Sequence, residues 1–281
     1  VRDAGQHGGD VSPGTRAATD LVDHLTERRP HHHLGDPGPA RDDALIAIGM
    51  LTGGVELTGE IALPAAPDGV RVGADDGVVL AWRGREATLH DLAGGTRTAG
   101  IEHAEPVADG LVLAGRAAVT RDAGGGLRLW GGTGPPRTLA SGGVAHFTAD
   151  RDGRRLIGWG DDGLRLWDLP DGGLRGHLLP GTTIAGAAFL DGGRLLAWSP
   201  AGRFWRIGEG AAPASWETGC APRGVEVTTD GRHALSFCDM ALLRHDPAEA
   251  RLAVRWDSPE RIDGVRFDAD GDRVVSWSAG R

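Results

Sequence analysis

Three adjacent histidines, His31, His32 and His33, are the densest cluster of metal-ligating side chains in the sequence. They lie in "HHHLGDPGPARDD", and neighbours on a Pro- and Gly-rich linker cannot by themselves set a closed coordination shell, so no metal site is assigned. Asp-Gly pairs such as Asp152-Gly153 and Asp230-Gly231 supply oxygen, yet no loop alternates oxygen ligands toward a closing Glu; the pairs read as tight turns. Ser, His and Asp occur without a GxSxG elbow or a His marked as a base, so no catalytic residue is assigned. Cys220 and Cys238 are the only cysteines, and two free thiols are the default in a reducing compartment. What remains is aromatic: Trp82, Trp159, Trp198 and Trp277 recur at regular intervals, and Trp is favoured at interface hot spots.

The elements that carry these aromatics must be short. With 47 Gly and 16 Pro among 281 residues, turns are frequent and apolar runs brief, which points to an all-β chain of many short strands. The formal charge is -9, and every basic residue is Arg, as in a GC-rich bacterial genome. No basic stripe of the kind that neutralises phosphates is present, which argues against nucleic acid. No stretch nears the roughly 20 apolar residues that span a bilayer, and the first 30 residues lack a signal-peptide core, so a cytoplasmic protein without membrane contact is expected. The chain opens on Val1, which leaves a fragment or a non-Met start open.

A repeat orders the strands. The unit "FTADRDGRRLIGWGDDGLRLWDLPDGG", from residue 147, reads as strand, turn, strand, turn, strand, turn, and it returns from Phe189, Val227 and Phe267. The aromatic closing the second strand falls at Trp159, Trp198, Phe237 and Trp277, in steps of 39, 39 and 40, each seven residues after an Asp. Trp82 stands 77 residues before Trp159, two steps with a weaker repeat around Thr120 between them. The third strand gives a parallel ladder at His90, Trp130, Trp167, Trp205 and Arg244. Cys220 and Cys238 flank the hairpin at Asp230-Gly231 and should be neighbours across its two strands.

The stretch "GRRLIGWGDDGLRLWDL" resembles the core of a WD40 repeat, with Trp167 and Asp168 as the signature dipeptide, and "LRGHLLPGTTIAGAAFLDGGRLLAWS" resembles the Gly-His approach to the first strand, at Gly176 and His177. The resemblance covers residues 44 to 278 and implies a β-propeller of four-stranded antiparallel blades. In that family a His, a Ser or Thr, an Asp and the Trp form a hydrogen-bonded chain. Most repeats here lack the residues to complete it, so packing by Leu156, Leu164, Leu166, Leu195, Val225, Val227, Val265 and Val274 is expected to dominate.

The segment at 44 to 57 aligns as a third strand with Gly49 at the Trp position, and residues 262 to 278 supply a first and second strand. Five full blades and two half-blades make six blades of four, with a truncated seven-bladed propeller as the alternative. Residues 1–43 stand apart as a short helix, capped at Ser12 or Thr15 and stopped at Pro30, followed by a linker. The sialidase Asp-box and the quinoprotein repeat are absent, so no cofactor is assigned. The resemblance implies a non-catalytic protein-interaction scaffold or sensor domain; the alternative is a propeller enzyme holding a cofactor or sugar in its channel. By their type and recurrence Trp82, Trp159, Trp198 and Trp277 are the candidate partner-binding residues, with packing of blade against blade as the competing reading.

Overall fold

The computed structural model describes residues 44–51, 55–73, 77–169, 171–208, 210–228, 230–268 and 273–278, with side chains from Ile61 onward. The expected N-terminal helix and linker, with Ser12, Thr15, Pro30 and His31 to His33, lie outside the described residues.

The described residues are all-β, with 24 strands in sequential antiparallel meanders. A two-stranded sheet joins β1 (Ala44–Leu51) to β2 (Val55–Leu63). Five four-stranded sheets follow. The first runs β3 (Gly69–Val72), β4 (Val78–Arg83), β5 (Glu86–Asp91), β6 (Arg97–Glu102); the second β7 (Val107–Leu113), β8 (Ala117–Asp122), β9 (Leu127–Gly131), β10 (Arg137–Ala140). The third runs β11 (His146–Ala149), β12 (Arg155–Gly160), β13 (Gly163–Asp168), β14 (Gly173–Leu178), and the fourth β15 (Gly186–Phe189), β16 (Leu195–Trp198), β17 (Arg203–Ile207), β18 (Ala214–Glu217). The fifth is β19 (Gly224–Val227), β20 (Ala234–Phe237), β21 (Ala241–Asp246), β22 (Arg251–Asp257), and a last two-stranded sheet pairs β23 (Gly264–Phe267) with β24 (Val274–Trp277). Each is a propeller-like blade or half-blade.

Side chains close the first hairpins. The Asp150 carboxylate accepts from the amides of Arg154 and Arg155, the Thr228 hydroxyl from the amide of His233, and the Asp268 carboxylate from the amide of Arg273. These residues repeat with the strands, whereas the expected turn residue Asp152 stands exposed beyond Asp150. Asp75 and Asp270 lie outside the described residues.

By its internal packing the chain divides into two units, residues 1–123 with 128–137, and residues 124–127 with 138–281. The core of the first unit gathers Val78, Leu80, Trp82, Leu89, Val107, Ala118 and Trp130. In the second, Ile157, Leu164, Leu195, Trp205 and Ile207 form one cluster, and Leu196, Phe204, Trp216 and Ala234 another. The packing expectation holds for Leu156, Leu164, Leu195 and Val265, while Leu166, Val225 and Val227 are half-buried. It fails at Val274: this residue is 39% exposed, since among the described residues β24 pairs with β23 alone.

The third-strand ladder also needs correction. His90 faces Val79, Trp167 faces Leu156 and His245 faces Ala234, in each case three residues before the closing aromatic. The partner of Leu195, three before Trp198, is Ile207. Ile207 and His245 therefore stand where Trp205 and Arg244 were expected. A single-residue slip turns a side chain to the opposite face, and Arg244 accordingly points to solvent while His245 is buried. A register shift precedes the ladder residue in β5, β13 and β21, between Leu89 and His90, Leu166 and Trp167, and Arg244 and His245. A similar shift occurs in β1 between Ile48 and Gly49.

Candidate functional site

The most chemically organised cluster lies in the first unit. Trp130 Nε1 donates to Thr120 Oγ1 at 2.9 Å, Thr120 Oγ1 lies 2.7 Å from His103 Nε2, and His103 Nδ1 lies 3.4 Å from Asp122 Oδ2. The Asp122 carboxylate can only accept, which puts the proton of the neutral ring on Nδ1, and Nε2 then accepts from the Thr120 hydroxyl, whose oxygen accepts from the indole. Hydroxyl, imidazole and carboxylate in this order imitate a nucleophile, base and orienting acid. Thr120 and His103 are, however, 0% and 1% exposed, so no substrate reaches the hydroxyl. Burial pulls the His103 pKa down, and the bond and charge of Asp122 oppose that without reversing it. The array is built to tie strands together. It completes the four-residue chain in the very repeat the sequence marks as weak, and nothing in the Trp130-Gly131 dipeptide announces it.

A second buried network occupies the second unit. Trp216 Nε1 donates to His245 Nδ1 at 3.1 Å, and His245 Nε2 meets Ser236 Oγ at 2.8 Å. The ring stacks on Phe204 at 4.2 Å between centroids. A ring that accepts from an indole at Nδ1 must be neutral, and burial drives its pKa down to about 4. His90, also buried, bonds through Nε2 to the Thr88 hydroxyl at 2.9 Å; burial and then the charge of Arg97 lower its pKa. Its Nδ1 has no partner among the described residues. His177, expected at the approach to a first strand, lies on the fourth strand β14, ahead of β15, and bonds the carbonyl of Asp162; Asp168 pairs with Arg175.

The four tryptophans proposed for partner contact do share a position, the last turn of the second strand, yet differ in exposure. Trp82 is buried, Trp159 and Trp198 are half-buried and Trp277 is 47% exposed. Trp82, Trp198, Phe237 and Trp277 each face a glycine on the first strand: Gly69, Gly186, Gly224 and Gly264. A β-carbon on Gly69, Gly186 or Gly264 would sit 2.0 to 2.1 Å from the indole, so the ring lies flat over bare backbone. At Trp159 the facing residue is His146, whose ring stacks at 5.8 Å. The glycine twelve or thirteen residues before Trp82, Trp198, Phe237 and Trp277 is a periodic signal present in the sequence beside the aromatics.

Cys220 and Cys238 meet as expected, with Cα atoms 6.3 Å apart, but they form a disulfide and are not free thiols. Around them a surface depression of about 510 Å³ is lined by Met240, Arg255, Asp257 and Ser258. Met240 and Trp256, 52% and 48% exposed, are large apolar groups the sequence reading passed over. Arg223 and Arg261 lie nearby, both within 4 Å of the Asp239 and Asp263 carboxylates. Among the described residues no three His, Cys, Asp or Glu side chains converge as a metal site, and no helix is long and apolar enough to cross a membrane. Compared with known proteins, the sequence matches no family model and no curated protein.

Proposed function

We propose that this chain is a protein-interaction module without catalytic activity of its own. The observation that carries the reading is the pairing of an exposed Trp256, Met240 and Trp277 with exposed Arg223, Arg255 and Arg261 in one unit, since Trp, Met and Arg are the types enriched where proteins bind. Its histidines support the reading from the other side: His90, His103 and His245 are buried inside the sheets, and burial lowers the pKa of each. The test is capture of partners from the source cell with the native chain as bait, against Trp256→Ala and Trp277→Ala. Loss of a captured protein by tenfold or more, with unchanged melting, supports the reading. Equal recovery with all variants, or turnover of a small molecule by the purified chain, overturns it.

The scaffold we infer is a six-bladed propeller of the WD40-repeat type, in a bacterial cytoplasm. Five sheets of four strands and two of two add up to six blades of four, which supports the count.

A further inference from the structure

We propose that the Cys220–Cys238 bond is a redox-responsive staple, opened by dithiol reductants in the folded protein. The two cysteines belong to different connections. Cys220 lies in the segment leading from β18 to β19, and Cys238 opens the hairpin from β20 to β21, 18 residues on. The bond forms the wall of the surface depression, with Cys220 half-exposed and Cys238 buried at 5%. An attacking sulfur therefore has a path to one side of the bond.

The reaction balances with a dithiol alone. Its thiolate attacks Sγ of Cys220, the S–S bond breaks, and the electron pair leaves on Sγ of Cys238. The second thiol then displaces Cys220 from the mixed disulfide. The reductant departs as its own disulfide, and its two protons end on the two cysteines.

What opens is small, because the ends of the connection are held independently. Thr218 is anchored by its amide and hydroxyl to the Gly202 carbonyl. Arg223 donates from its amide to Phe237 and from its guanidinium to the Ile262 carbonyl. On the hairpin side, Cys238 donates to Ala241, and the Asp239 carbonyl accepts from Ile262. Between the anchors, Gly219 to Pro222 have the disulfide as their tether to the hairpin. The Cys220 carbonyl, held by the Thr218 hydroxyl, packs so closely on Gly202 that a β-carbon there would sit 2.0 Å from it. Reduction thus frees one rim of the depression and leaves the sheets paired, whether or not that rim meets a partner.

The test is incubation of the native chain with dithiothreitol, followed by thiol counting and hydrogen exchange. The expected result is two titratable thiols after reduction and none before, exchange at Gly219, Cys220 and Ala221 faster by about tenfold or more, and unchanged exchange in β11 to β18. The melting midpoint should fall by roughly 5–10 °C, as for an 18-residue loop losing its cross-link. A Cys220→Ser, Cys238→Ala variant should show the same local exchange without reductant. Two free thiols in protein prepared without reductant, reduction no faster than global unfolding, or identical local exchange in both redox states would each overturn the proposal.

Discussion

At the scale of single residues, the buried histidines tie stability to pH. The folded pKa of His245 is about 4 and the ordinary value 6.5, so between those values the unfolded chain holds a proton that the native chain does not. Stability is full above about 6.5 and falls as the pH drops toward 4, by ~3 kcal/mol from this group. His90 and His103 shift in the same direction and add to the slope. Denaturant unfolding of the native chain and of His245→Phe from pH 7 to 4 should show the variant less stable at pH 7 but flatter in slope. Trp167, fully buried with its indole nitrogen donating to the Leu139 carbonyl, gives a second expectation. Trp167→Ala should cost about 3–5 kcal/mol of unfolding free energy, read by the same titration.

At the scale of the element, the unit of construction is a first strand left bare by glycine under an aromatic from the second. Gly186→Ala should push a β-carbon into the Trp198 ring and cost about 1–3 kcal/mol in chemical unfolding, as overpacking does. At Gly192, where nothing lies within 4 Å but φ is +62°, Ala should act through backbone strain alone. The repeat spacing was legible because turn and strand lengths recur. The ladder slipped at Trp205 because Trp198 faces Phe204, six residues on, while Trp159 and Phe237 face partners five residues on; at Arg244 that spacing is unchanged, and the ladder residue His245 stands eight after Phe237 as Trp167 stands eight after Trp159. Sequence alignment follows residue type, and pairing follows hydrogen bonds.

At the scale of the whole molecule, the blade count is the expectation to test. A crystal structure of the native chain should show six four-stranded blades, and any other number would overturn the six-blade reading.

The sequence by itself determined the all-β class, the strand count, the approach of Cys220 to Cys238 and the common position of the tryptophans, because these depend on periodicity and turn chemistry along the chain. Only the tertiary structure decided that Thr120, His103 and Asp122 join Trp130, that His245 fills the slot assigned to Arg244, and that Trp82 is buried while Trp277 is not. Those outcomes turn on which face of a strand each side chain takes and which neighbouring strand covers it. Both are set by pairing between strands, which a period of about 39 residues leaves open to a slip of one, as at His245, or two, as at Ile207.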